Sequence, residues 1–215
     1  MEIDKITIEN AIKHLSENDE IFCNIIDKTE RVSFDTRDSG YPSLCKIIVS
    51  QQLSGKAATT IFNRLLEMYD GIITPDRILE SSIGKIQSVG ISLPKAKYIF
   101  SLATKLRADP NFLQRLSQLD DQLALSEVQK LKGFGIWSSG IYLLFNLGRK
   151  DILVENDSTL NNSISELYGY QILDDKKRLE ELTNRWRPYR SVACLYLWHW
   201  NDCGKPDCKI IQNRN

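Results

Sequence analysis

The 215-residue chain carries 28 Lys and Arg against 28 Asp and Glu, so its formal net charge is zero, and 42% of its residues are hydrophobic. That is ordinary globular composition, with enough length to bury a core in one domain or two small ones. It excludes a strongly basic nucleic-acid binder while leaving room for a local basic face, and the lack of any apolar run of about 18 residues predicts no membrane span. Five cysteines (23, 45, 194, 203 and 208) make an odd set. The start, Met1 to Lys5, lacks the basic and apolar stretches of a secretory signal. Both features predict reduced thiols in an intracellular protein, cytoplasmic if the cell is prokaryotic.

In chain order, Asp35 to Pro42 reads as a loop. Between Gly55 and Tyr69, Ala58, Ile61, Phe62, Leu65 and Leu66 share one helical face. Asp70 to Pro75 reads as the next loop. Pro94 suits a first helical turn, with Ala96, Ile99, Phe100, Ala103 and Leu106 continuing the pattern. Ser126 and Gln129 have capping-box spacing and predict the start of a short helix that ends at a glycine turn. Ile141, Leu144, Phe145 and Asn146 precede Gly148, a helix stop, and Gly204 to Pro206 reads as a last loop. The prediction is an all-α protein of about ten helices with short links.

Three groups of residues carry possible chemistry. Gly133-Phe134-Gly135 lets the chain reverse tightly between helices, and the main-chain N–H groups of the following helix start suit a phosphate. A plain helix-helix turn explains the same glycines. Asp157, before Ser158-Thr159-Leu160, is either an N-cap or a carboxylate that a helix start holds for stabilising a cationic sugar. Near the C-terminus, Arg185, Arg187 and Arg190 either meet DNA phosphates or pair with Glu180 and Glu181. Cys194, Cys203 and Cys208 with His199 have the composition of a zinc set but not the spacing of common zinc motifs, so free thiols are the expectation.

The order of landmarks goes further. Leu131 to Ser139 fits the pattern apolar, any, Gly, apolar, Gly, any, any, Ser/Thr, small. Ile47 to Ala58, Val89 to Ile99, and Trp186 to Ala193 followed by Trp198 complete the set, with Asp157 one helix beyond the glycine turn. Together they resemble the helix-hairpin-helix superfamily of DNA base-excision glycosylases, most nearly its 3-methyladenine DNA glycosylase II branch.

The resemblance implies an all-α, bilobal fold. A central lobe over 40–150 ends in the hairpin, residues 1–39 and 151–215 form the second lobe, and a flipped base lies in the cleft between them. It implies a monomer acting on double-stranded DNA with damaged bases. Asp157 is the implied catalytic residue, and Trp137 and Trp198 the implied base pocket, with Trp186 and Trp200 as competitors for the latter role. Strand-cleaving relatives carry a lysine where this chain has Trp137. An indole cannot form a Schiff base, so the activity implied is monofunctional, without lyase chemistry. An aromatic face also attracts an alkylated, cationic purine.

Gly133, Phe134, Gly135 and Ser138 are the implied DNA contacts at the hairpin, and Lys132 is a phosphate contact or solvent-exposed. Gln52 matches the position that fills the space left by a flipped nucleotide. Leu53 stands beside it, though core packing is the stronger expectation for that side chain. No cofactor is required and no iron–sulfur cluster is expected. A sodium or potassium ion on the main-chain carbonyls of Gln129, Leu131 and Phe134 is implied. Two departures, Asn156 where many alkylbase enzymes have an acid and Ile141 where the branch has a pocket tyrosine, bear on the lesion. The function implied is excision of alkylated purines such as 3-methyladenine. The alternatives are oxidised, deaminated or mismatched bases, or a non-catalytic protein that binds DNA structures.

Overall fold

The computed structural model describes residues 3–169 and 174–208, and the elements in them are all α-helices. The chain divides into two compact units, Arg37–Leu147 and Met1–Thr36 with Gly148–Asn215.

The first helices of the discontinuous unit are α1 (Lys5–Asn18) and α2 (Glu20–Lys28). Asp4 caps α1 by accepting the Thr7 N–H at 2.7 Å. Asp19 ends α1 and caps α2, accepting the N–H groups of Ile21 and Phe22. Its other oxygen accepts the Tyr168 hydroxyl at 2.9 Å and the Trp186 indole N–H at 3.0 Å. One carboxylate, 6% exposed, therefore ties the α1–α2 junction to residues about 150 positions away in sequence.

The continuous unit holds α3 (Tyr41–Ser50), α4 (Gly55–Met68), α5 (Pro75–Leu79), α6 (Ile83–Gln87), α7 (Leu93–Ala108), α8 (Phe112–Gln118), α9 (Asp121–Gln129) and α10 (Ile136–Phe145). Ser54, Thr74 and Ser82 cap α4, α5 and α6 through their hydroxyls, as short polar side chains do at helix starts. The expected loop at 35–42 ends at Gly40, because Pro42 falls in the first turn of α3, where its missing N–H costs nothing. The expected capping box at Ser126 is not there. Asp120 caps α9 six residues earlier, its carboxylate accepting the Leu123 N–H at 2.9 Å, and Ser126 lies inside the helix. The core of this unit gathers around α7, with Leu44, Ile48, Leu65, Ile78, Ile86, Ile99, Ala103, Val128, Leu143 and Leu144 buried. Burying each Leu or Ile side chain contributes about 1.5–3 kcal/mol.

The chain then returns to the first unit with α11 (Ser158–Tyr168), α12 (Lys176–Asn184) and α13 (Arg190–Asp202). Leu15, Phe22, Ile25, Leu160, Trp186, Leu197 and Trp200 form its core. The segment leading to α11 is laid along the start of α13. Ser191 Oγ accepts the Ile152 N–H at 2.9 Å and donates to Arg149 O at 2.5 Å. Among the described residues, no helix is long and apolar enough to cross a membrane.

Candidate active site and DNA-binding hairpin

The hairpin is the turn between α9 and α10. Leu131 and Phe134 are its apolar feet, 7% and 5% exposed. The Phe134 N–H donates to Leu131 O at 3.0 Å, closing the turn. The two glycines serve different purposes. Gly133 stands at φ +88°, where an L side chain is strained, and a Cβ there would meet the Tyr98 ring at 2.4 Å. Gly135 has ordinary φ, and a Cβ added to it would meet nothing within 4 Å. Its bareness keeps the approach to α10 open, and no side chain caps that helix. The main-chain N–H groups at this helix start therefore meet no capping side chain, and such groups can receive an anion.

Around the hairpin, the side chains of Ser138 and Phe134 are buried and that of Leu53 is exposed. Ser138 is 3% exposed and accepts a hydrogen bond from Gln51, so its hydroxyl looks inward, on the face that Tyr142 buries one turn later. Phe134 is buried too, so any DNA contact by these two residues is through the main chain. Leu53 reverses the other way: expected in the core, it is 40% exposed at the tip of the α3–α4 loop, beside an exposed Gln52 at φ 55°. Trp137, the second residue of α10, is half-buried. Tyr142 is fully buried, its hydroxyl donating to Ser39 O at 2.7 Å, and the neighbouring Ile141 is half-buried.

Two residues that sequence reasoning passed over hold the α3–α4 loop. Lys95 Nζ donates to Val49 O at 2.8 Å and Gln51 O at 2.7 Å. Gln51 Nε2 donates to Gly133 O at 2.6 Å and Ser138 Oγ at 2.9 Å. Their presence within the matched landmarks was the available signal.

The carbonyls of Gln129, Leu131 and Phe134 belong to the same turn. They are uncharged, hard oxygen donors, and Leu131 O, which accepts the Phe134 N–H, keeps a second lone pair. That donor chemistry fits a weakly held alkali cation.

In the other unit, Asp157 is the N-cap of α11. Its Oδ1 accepts the Leu160 N–H at 2.9 Å and the Trp198 indole N–H at 3.1 Å. The capping role and a chemical role are therefore not exclusive: the helix start and an indole fix one oxygen between them. Asn156 stands at φ 59°, a left-handed position that Asn tolerates better than most residues, which gives a backbone reason for the amide at that place. The tryptophans separate cleanly. Trp186 and Trp200 are 0% and 2% exposed, with their indole N–H groups on Asp19 and Pro206 O, so they belong to the core. Trp198 is half-buried and faces Asp157.

The C-terminal arginines pair with neither Glu180 nor Glu181. Asp151 takes both Arg187 and Arg190, each at 2.8 Å, and braces the segment that leads to Asp157. All five cysteines are free thiols. Among the described residues no group of three or more His, Cys, Asp or Glu side chains is placed to hold a metal ion. Cys194 and Cys208 are buried apart from the exposed Cys203, whose Sγ lies 3.5 Å from His199 Nε2.

The chain is similar to known proteins. The chain is 28% identical over 196 residues to the alkylbase DNA glycosidase-like protein mag2 of Schizosaccharomyces pombe, covering 88% of this chain and 92% of that one. It is 27% identical over 164 residues to DNA-3-methyladenine glycosylase 1 of the same yeast, covering 74% and 71%. Among solved structures, a DNA-3-methyladenine glycosidase from Bacillus halodurans superposes with a TM-score of 0.75 at 29% identity, over 87% of this chain and 86% of that one. The S. pombe 3-methyladenine DNA glycosylase Mag1, in complex with abasic DNA, shares the fold with a TM-score of 0.75 at 24% identity, over 94% and 99%. The model of the HhH-GPD superfamily of base excision DNA repair proteins matches residues 45–188, more than half of the chain, and the chain belongs to that family.

Proposed function

We propose that this protein is a monofunctional DNA glycosylase that excises alkylated purines such as 3-methyladenine. The observation that carries the reading is Asp157, a carboxylate fixed at a helix start by the Leu160 N–H and the Trp198 indole. The relatives named as 3-methyladenine glycosylases support the substrate class.

The hairpin grips a DNA backbone through main-chain N–H groups at Gly133 and Gly135, and an alkali cation on the Gln129, Leu131 and Phe134 carbonyls would add positive charge for the phosphate. Gln52 and Leu53 enter the stack as the damaged nucleotide swings out, which costs a few kcal/mol. Trp137 and Trp198 each offer an aromatic face to a cationic purine, worth about 0.5–2 kcal/mol per contact. The bond from C1′ to the base breaks with its electron pair going to the base, whose positive charge is thereby neutralised, so no protonating acid is needed. Asp157 stabilises the resulting oxocarbenium-like sugar, and water adds to C1′ with loss of a proton. With an indole at 137, no amine attacks the sugar there, and the abasic strand stays intact.

The test is release of 3-methyladenine and 7-methylguanine from randomly methylated duplex DNA, comparing the native chain with Asp157→Asn. The native chain is expected to release base. The variant is expected to lose turnover by at least about a thousandfold while still binding abasic duplex. Full activity in Asp157→Asn would remove the residue from the chemistry. A covalent protein–DNA adduct trapped with borohydride would overturn the monofunctional assignment.

A further inference from the structure

The α3–α4 loop displays Gln52 at φ 55° and an apolar Leu53, 40% exposed. A non-glycine residue in the left-handed region persists where its surroundings hold it. The loop is anchored to two outside elements, α7 and the hairpin turn. Lys95, in the first turn of α7, reaches across to the end of α3 and donates to Val49 O and Gln51 O, at 2.8 and 2.7 Å. A cation at a helix C-terminus is favourable, whereas in the first turn of its own helix it is not, so the cross-helix contact is what this lysine gains. Burial lowers the Lys95 pKa.

The second anchor is Gln51, whose amide donates to Gly133 O at 2.6 Å and Ser138 Oγ at 2.9 Å. Gly133 C=O and Phe134 N–H lie in one peptide plane. The N–H end of that plane is held by Leu131 O and the carbonyl end by Gln51. The peptide at the centre of the hairpin is thus clamped at both ends, and one clamp is the residue preceding Gln52.

We infer that Lys95 and Gln51 are positioning residues that present Gln52 and Leu53 to the DNA stack and lock that loop to the hairpin. The inference rests on the proposed glycosylase reading, in which residues 52 and 53 fill the space of the flipped nucleotide.

The experiment uses the full chain and a duplex with 2-aminopurine beside a tetrahydrofuran abasic analogue, whose emission rises when the stack is opened. Affinity for the same duplex without the analogue is measured in parallel. Lys95→Met and Gln51→Ala are each expected to reach less than about a third of the native rise at saturation, and Lys95→Met, which leaves the hairpin's own contacts in place, to keep affinity for undamaged duplex within about twofold of native. Lys95→Arg, which restores a cation at the end of α3, is expected to recover most of the signal. Should Lys95→Met fail to fold, Gln51→Ala decides, since it leaves the α3 carbonyls and their lysine in place. A native-sized rise in Gln51→Ala overturns the inference, as does a parallel loss of signal and of undamaged affinity in Lys95→Met. No rise with the native chain sinks the entry of residues 52 and 53 into the stack, and this inference with it. A native rise that the variants share sinks this inference alone.

Discussion

Single residues in this protein are asked for different things even when they are the same amino acid. Gly133 is needed by the fold: its φ of +88° and the Tyr98 ring at 2.4 Å from a would-be Cβ leave no room for alanine. Gly135 is not needed by the fold, since a Cβ there meets nothing within 4 Å, and in the proposed function it serves only what approaches from outside. Gly133→Ala should therefore lower stability by about 1–3 kcal/mol from backbone strain alone, seen as a fall in Tm, and weaken DNA binding as a consequence. Gly135→Ala should keep the native Tm and still lose DNA affinity. Equal Tm losses in the two variants would remove this distinction. Trp198 joins two roles, an aromatic face and a donor to Asp157. Trp198→Phe keeps the face and deletes the N–H, so it should lower the single-turnover excision rate roughly tenfold to a hundredfold with little change in damaged-DNA affinity. Trp198→Ala should lower both. If Phe proves as active as Trp, the indole N–H has no part in holding the carboxylate.

At the scale of elements, the junctions matter more than the helices. Asp19 closes α1, opens α2 and holds both the Tyr168 hydroxyl and the Trp186 indole while 6% exposed. Asp19→Ala leaves two buried donors and a helix start unpaired, a loss of about 3–5 kcal/mol in urea unfolding. Asp19→Asn caps α2 equally well, but its single side-chain oxygen cannot both cap and accept from Tyr168 and Trp186, so an intermediate loss is expected. Equal losses would show that the long-range pair, not the cap, is what counts. The same contrast explains what could be read from sequence. Helices α4 and α7 were legible because their apolar spacing and Pro94 are local signals. The start of α9 was misplaced because Ser126 and Asp120 both have capping chemistry, and the choice falls to whichever lets Ala124 and Val128 face the core. The hairpin was legible because its glycine spacing is itself a backbone requirement. The partners of Asp19, of Asp151 and of Gln51 were not, because each pairing joins residues more than 30 positions apart in sequence.

For the molecule as a whole, composition and burial set its response to conditions. Trp198 and Trp200 look alike in sequence, yet two residues along a helix turn roughly 200°, so one reaches Asp157 and the other the core. Cysteine shows the same partition with a measurable consequence. Burial pushes the Cys45 and Cys194 thiols up to about 12, while Cys203 is exposed. In the unfolded chain thiols ionise near about 8.5. Above that pH the unfolded state gives up protons that the folded state retains, so stability falls as pH rises, by about 1.4 kcal/mol per pH unit for each buried thiol. Below it both states keep their protons and these groups contribute no slope. Between about pH 8.5 and 9, well below the ordinary tyrosine pKa near 10, the tyrosines remain largely protonated in both states, so the thiol contribution can be read there. Cys194→Ala should be less stable at pH 7, having lost packing, and yet lose stability with a visibly shallower slope over that window. A thiol reagent should modify Cys203 of the native chain first, with Cys45 and Cys194 reacting only on unfolding. An unchanged alkaline slope in Cys194→Ala, or early labelling of position 194, would mean that this part of the core opens to solvent well before the chain unfolds.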